Sequence, residues 1–242
     1  KVEAFVKALG MKVLLNDPPL KRNGDSRNFV ELDEILKCDI VTLHTPLNLN
    51  GIDKTYHLFD KSNLNKLKDG VILINTSRGA VVNNLDLLTA IDKKHLKVVL
   101  DVWENEPNIN IELLEKVSIS TPHIAGYSNE GKVNGTKIIY ESLCKFLGKE
   151  VAFPFNSSAP QNSIKYFNKI ETLEVELDNL VSNIYSIKDD DQRMRKMQMM
   201  NQNEIKLEFD LQRKNYPISW EFCNYSVQLN QKTNKIQDIL TS

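Results

Sequence analysis

The sequence predicts an α/β fold: a Rossmann-like parallel sheet with helices on both faces, incomplete at the N-terminus, followed by a small α+β domain. Three observations carry this. From Met11 to about Gly148, short apolar runs alternate with helical periodicity, the pattern of strand–helix–strand crossovers. The apolar runs are short and nearly continuous, as strands covered on both faces would be. After Glu150 the texture changes, first to a stretch with prolines and serines and then to longer amphipathic segments.

Taken in order, Lys1–Leu9 reads as a helix with Val2, Phe5, Val6 and Leu9 on one face and Gly10 as its stop. A strand at Met11–Asn16 follows and closes on Asp17. In a dinucleotide-binding unit a Gly-rich turn precedes the helix, and an acid stands about 20 residues beyond that turn. Here helix, strand and acid are present and the turn is not, so the chain reads as starting inside a βαβ unit. Further strands are expected at Asp39–Leu43, Gly70–Asn75, Lys97–Asp101 and Val117–Ser120. Helices are expected near Phe29–Lys37, Lys61–Leu67, Asn84–Lys93 and Ile111–Lys116. A longer helix, Asn129–Leu147, carries Val133, Ile138, Ile139, Leu143 and Phe146 as a stripe to be buried. Val151–Ser163 reads as a linker. Beyond it lie helices near Glu171–Ile187 and Asn203–Asn215 and an aromatic strand near Trp220–Leu229, with the acidic run Asp189–Asp191 taken as a solvated turn. The domains predicted are 1–127 (a partial nucleotide-binding domain), 128–155 (crossover helix and linker) and 156–242 (a terminal domain).

Charge excludes some partners. With 31 basic and 32 acidic residues the formal net charge is −1, which offers nothing to nucleic acid or an anionic membrane. No apolar run approaches the roughly 20 residues a membrane span needs. Cys38, Cys144 and Cys223 are odd in number and widely spaced, so reduced thiols in a cytoplasmic protein are expected, with neither a disulfide frame nor a metal site.

The residues with chemistry cluster at strand ends. Arg78 follows Gly70–Asn75, Glu106 follows Lys97–Asp101, and His123 follows Val117–Ser120. Ligands of open parallel sheets bind beyond the carboxyl ends of the strands, so the three can converge. A guanidinium, a carboxylate and an imidazole make an anion clamp beside an oriented proton carrier. Glu104 competes with Glu106 as partner of His123, and spacing does not choose between them. Whichever it is, a carboxylate beside an imidazole fixes its tautomer and raises its pKa. Asp17 at a strand end can accept from both ribose hydroxyls of an adenosine and would repel a 2′-phosphate, favouring NAD over NADP. Thr42-Leu-His-Thr-Pro46 can present Thr45 to a cofactor or simply form a turn. Asp101 is placed for the nicotinamide side. His44, His57 and His95 receive structural readings.

Thr121-Pro-His-Ile-Ala-Gly-Tyr127, with Asp101, Arg78-Gly79 and Glu104-Asn-Glu-Pro107 in this order, resembles the D-2-hydroxyacid dehydrogenase family. Leu14-Leu-Asn-Asp-Pro-Pro19, His44-Thr-Pro-Leu47, Lys54-Thr-Tyr-His-Leu58 and above all His123–Lys132 narrow the resemblance to one branch, which acts on a phosphorylated hydroxy acid. In the tail, Tyr185–Asp191, Arg195-Lys196, Phe209-Asp210 and Arg213–Tyr216 are similar to the dimerisation module of that branch. The resemblance implies an NAD-dependent oxidoreductase acting on a small-molecule phosphorylated hydroxy acid, and a homodimer through the C-terminal domain. It makes His123 the proton carrier, Glu106 its partner and Arg78 the substrate-orienting group. It places Asp17, Thr45, Asp101 and Gly126 at the cofactor and Tyr127 at the substrate. It also implies a first domain and a Gly-rich loop, neither of which is in this sequence. Asn83 departs from the Asp usual there, a change that keeps an N-cap. Three alternatives stay open: another member of the family, for instance one acting on phosphoglycerate, a non-catalytic NAD-binding or oligomerising protein on the same fold, and an inert remnant of a longer gene.

Overall fold

The computed structural model describes residues 2–153, 162–165 and 173–228. Its elements in chain order are α1 (Val2–Ala8), α2 (Pro18–Arg22), α3 (Leu32–Ile35), β1 (Ile40–Leu43), α4 (Lys61–Lys66), β2 (Ile72–Asn75), α5 (Asn84–Lys94), β3 (Lys97–Leu100), α6 (Ile111–Lys116) and β4 (Ile119–Ser120). They continue with α7 (Asn129–Phe146), β5 (Asn162–Lys165), α8 (Leu173–Ile184), α9 (Ile187–Arg195), α10 (Gln202–Lys214) and β6 (Tyr225–Gln228). The chain divides into two compact units, one formed by 14–125 with 187–215, the other by 1–13, 126–186 and 216–242. The segment 156–242 therefore contributes to both. No helix among the described residues is long and apolar enough to cross a membrane.

The first of these units is a parallel sheet in the order β1-β2-β3-β4, each strand pairing with the next along the sequence. That order needs a crossover between every pair, and α4, α5 and α6 supply them. Each crossover helix starts on a side-chain cap: Asp60 accepts from Asn63 N, Asn83 from Leu85 N and Asp86 N, and Asn110 from Leu113 N. Asn83 thus caps α5 as expected of it, and His95 ends the same helix in the left-handed conformation. Burial is unequal across the sheet. Val41, Leu43, Leu73, Val98 and Leu100 are buried, whereas Ile40 is exposed and Ile72, Ile74 and Val99 are half-buried. The continuous apolar runs predicted equal burial. The three crossover helices instead pack in series, α4 against α5 and α5 against α6, as one layer.

Three predicted elements of this unit changed. Met11–Asn16 is not a strand; Leu15 makes a single parallel bridge to Phe29, and the amide of Asn16 donates to Val30 O at 2.8 Å. A ladder needs a partner of some length, and the chain turns into α3 directly after Glu31. The helix near Phe29–Lys37 shrinks to Leu32–Ile35, since Phe29 and Val30 are spent on that bridge. Asp189–Asp191 is not a solvated turn but part of α9, where Asp190 is 1% exposed and pairs with Arg193 three residues on. Acids in a first turn complement the helix dipole.

In the other unit, β5 and β6 pair in parallel from Asn162↔Tyr225 to Lys165↔Gln228. The strand therefore begins inside the predicted linker, and the aromatic strand near Trp220–Leu229 is confined to Tyr225–Gln228, behind a 3-10 turn at Phe222–Asn224. α8 ends at Ile184 and buries Leu177 and Leu180. α7 starts on Ser128, whose hydroxyl accepts from Gly131 N at 3.0 Å. Its buried Glu130 accepts from Glu221 N at 3.2 Å and from the amide of Asn224. The stripe expected to be buried is on the surface: Ile138, Ile139, Leu143 and Phe146 are exposed, and Val133 is half-buried. Amphipathicity marks a face that wants a cover, and within this unit the described residues do not supply one.

Candidate active site

The site is assembled where β2, β3 and β4 end. Past β2, Asn75 is fully buried and folds the chain back, its Oδ1 accepting from Ser77 N (3.1 Å) and Ser77 Oγ (2.8 Å) while its Nδ2 donates to Arg78 O (3.1 Å). Arg78 is left exposed, with Nη1 donating to Ser77 O at 2.6 Å. Gly79 follows because nothing larger fits. A Cβ there would lie 2.0 Å from the carbonyl carbon and oxygen of Trp103. That close approach sets the Arg78 turn against the turn carrying Glu106.

Past β3, Glu106 is fixed at both oxygens: Oε1 accepts from Trp103 N and Oε2 from His123 Nδ1, each at 2.7 Å. The indole of Trp103 donates to Thr121 O at 3.1 Å, tying this turn to the end of β4. His123 sits at φ 56°, a left-handed conformation uncommon for a residue with a side chain. Asp101 holds it there. Its carbonyl accepts from His123 N at 2.7 Å, and its carboxylate accepts from Thr121 Oγ1 (2.6 Å), Ile124 N (2.8 Å) and Ala125 N (3.0 Å). With Nδ1–H given to Glu106, the tautomer leaves Nε2 as the basic nitrogen, and among the described residues no protein group bonds to it.

The competition between the two glutamates is decided by geometry. Glu104 turns the other way, where Oε1 accepts from His57 Nε2 at 2.6 Å and Oε2 from Asn84 N at 3.0 Å. His57 stacks on Tyr56 with ring centroids 3.9 Å apart and also meets the Asn83 amide, so the structural reading of His57 fits. His44 shares a hydrogen bond with Thr42 Oγ1 at 2.9 Å, and desolvation of its ring lowers its pKa.

The residues expected at the cofactor are spread. Asp17 caps α2, one oxygen accepting from Leu20 N at 3.0 Å, with Pro18 and Pro19 opening the helix. A carboxylate has about four lone-pair sites, so this cap leaves acceptor oxygens to which the two hydroxyls of a ribose could donate. Thr45 follows β1, its hydroxyl donating to Pro46 O at 3.3 Å. Asp101 is 4% exposed, and its three protein donors leave little of it for a nicotinamide carboxamide. Gly126 (φ 87°) and Tyr127 belong to the other unit, where Tyr127 stands edge-on to Tyr216 (5.9 Å) with the Lys132 ammonium 4.6 Å from its ring centroid. The sequence reading passed over Trp103 and Thr121, although both lie inside the motifs it singled out.

A family model described as D-isomer specific 2-hydroxyacid dehydrogenase, NAD binding domain, matches residues 1–125, and one described as a domain of unknown function (DUF3410) matches 157–240. The erythronate-4-phosphate dehydrogenase of Proteus mirabilis (strain HI4320) is 43% identical over 231 residues, which is 94% of this chain and 60% of that protein. The enzyme of that name from Escherichia coli O127:H6 is 45% identical over 223 residues, 89% of this chain and 57% of that protein. This chain thus spans about 60% of the length of these curated relatives. A solved D-lactate dehydrogenase with NAD+ from Lactobacillus jensenii is 26% identical, with 62% of this chain and 50% of that one covered at a TM-score of 0.49. The first family model takes in more than half of the 242 residues, and the chain belongs to the D-isomer specific 2-hydroxyacid dehydrogenase family.

Proposed function

We propose that the protein carrying this chain oxidises 4-phospho-D-erythronate to 2-oxo-3-hydroxy-4-phosphobutanoate with NAD, a step of pyridoxine (vitamin B6) and pyridoxal 5′-phosphate biosynthesis. One observation carries the reading: His123 Nδ1 on Glu106 Oε2 at 2.7 Å, beyond the carboxyl ends of β3 and β4. The names and identity of the curated relatives support the substrate. Nε2 of His123 takes the proton of the C2 hydroxyl, and the Glu106 carboxylate stabilises the imidazolium that forms. Bound NAD would supply the hydride acceptor for C2. Arg78 holds the substrate carboxylate and polarises the developing carbonyl. Asp17 holds the adenosine ribose, Thr45 and Gly126 line the cofactor, Asp101 offers what acceptor capacity its turn leaves, and Tyr127 meets the substrate. The compartment that suits this chemistry, with three cysteines odd in number and widely spaced, is the cytoplasm.

We further read the protein as a homodimer through the 156–242 segment. Val175 and Ile218 stand exposed there, as apolar residues that a second copy would cover. Of the segment's other large apolar residues, Tyr166 and Phe167 and the side chains of Ile164 and Leu173 lie outside the described residues.

The test is NADH formation by the intact protein from NAD and 4-phospho-D-erythronate, with phosphoglycerate and lactate as competitors. Preference for either competitor would overturn the substrate. Asp17→Ser should narrow the preference for NAD over NADP, and a parent that already uses both equally would remove Asp17 from the cofactor. Light scattering on the intact protein and on its Val175→Asp, Ile218→Asp double variant checks the dimer, which the two substitutions should break.

A further inference from the structure

Helix α9 lies in the stretch whose family model carries no assigned function, yet its side chains reach the sheet. β4 is the outermost strand, bonded on one side by β3, so backbone groups on its free side need other partners. Asp191 supplies one: its Oδ1 accepts from Ser120 N at 2.8 Å and from Ser120 Oγ at 2.6 Å. Arg195, one turn on, pairs with Asp191 at 3.1 Å. The same guanidinium donates to the carbonyls of Leu114, Glu115 (3.4 Å) and Val117 (2.7 Å), which α6 leaves open where it runs into β4. The helix is not merely touching the surface. Met194 of α9, Met197 just beyond it, and Ile205 and Phe209 of α10 are at most 2% exposed and belong to the same core as Leu113 and Leu114.

From Ser120 the path to His123 is short. Thr121 follows and donates to Asp101, and Asp101 holds Ile124 N and Ala125 N on the far side of the histidine. We propose that Asp191 and Arg195 are positioning residues: α9 braces β4 from its free edge and so holds the turn that presents His123 to Glu106. Residues 187–215 are then part of the nucleotide-binding unit in function as well as in packing, and self-association falls to the remainder of the tail. The inference rests on the reading of His123 as proton carrier, and the brace itself can be tested without turnover.

In the intact protein, Asp191→Ala removes the brace, whereas Asp191→Asn keeps an acceptor oxygen for Ser120. Hydrogen exchange over residues 118–125 should quicken about tenfold in the alanine variant and stay near the parent in the asparagine variant. Turnover should follow the same pattern, with kcat down about tenfold in Asp191→Ala, the KM for NAD within about twofold, and kcat largely restored in Asp191→Asn. Unchanged exchange in Asp191→Ala overturns the brace, and faster exchange with unchanged kcat overturns the positioning role. A parent that turns over no 2-hydroxy acid but shows the expected exchange pattern upholds the brace and removes the functional reading instead. Should Asp191→Ala fail to fold, Ser120→Ala, which deletes one hydroxyl, must show the same changes at smaller size; no change there overturns the proposal.

Discussion

His57 and His123 each meet a glutamate from the same short segment, Glu104-Asn-Glu106, at 2.6 and 2.7 Å, and both sit in the left-handed region. Their surroundings differ. His57 has both ring nitrogens engaged, Nε2–H given to Glu104 and Nδ1 facing the Asn83 amide at 3.4 Å, with Tyr56 stacked on its face. Glu104 in turn holds Asn84 N, at the start of α5. A cleft of about 470 Å³ opens beside this pair, lined by His57, Asn83, Asn84, Glu104 and Gln202 among others, yet its imidazole has no nitrogen left for a ligand. His123 has one nitrogen on Glu106, and among the described residues nothing bonds to the other. The lesson is that a histidine–carboxylate pair does not mark chemistry. The chemistry proposed above rests on the nitrogen that His123 leaves over.

The comparison can be broken at several points. The largest effect is expected from Gly79→Ala, because a Cβ placed 2.0 Å from the Trp103 carbonyl must push apart the turns of Arg78 and Glu106. Forced overpacking against backbone costs on the order of 3 kcal/mol, and thermal unfolding should show it; an unshifted melting temperature would mean the two turns are not held together. Next comes Glu106→Gln, which keeps an acceptor near His123 and removes the charge. Loss of kcat of about 100-fold with unchanged stability is expected, within the range of general acid–base contributions. Glu104→Ala should do the converse. It deletes the bonds to His57 and Asn84, costing about 2 kcal/mol of stability, while kcat of the folded protein stays within a few-fold. A large kcat loss there would erase the distinction between the pairs. Smallest is Asn83→Ala, which removes the cap of α5 beside His57 and should cost about 1 kcal/mol, read by denaturant midpoint, with turnover unaltered.

Much of the sheet was legible because its signals are local. Apolar runs β1 to β3 and the cap Asn83 are each readable within a few residues. That Arg78, Glu106 and His123 each lie past the end of a strand was legible too, since each follows its apolar run within a few residues. What spacing did not decide was Glu104 against Glu106: the answer lies in Gly79 and Asn84, which reach the segment from elsewhere in the fold. Asp189–Asp191 misled for the same reason. Read alone, three acids suggest solvent, but Asp191 finds Ser120 at a separation of 71 residues and Arg195 four residues on. The stripe of α7 shows the opposite limit. Its periodicity was read correctly, and no periodicity states what will cover it.

The most direct measurement is single-turnover hydride transfer by the intact protein, with His123→Asn and His57→Asn assayed side by side on 4-phospho-D-erythronate and NAD. His123→Asn is expected to slow transfer by about 10²–10⁴-fold with NAD binding unchanged, and His57→Asn to leave the folded enzyme within a few-fold of the parent. Near-normal transfer in His123→Asn, or an equal loss in both variants, would contradict the assignment of the proton to His123.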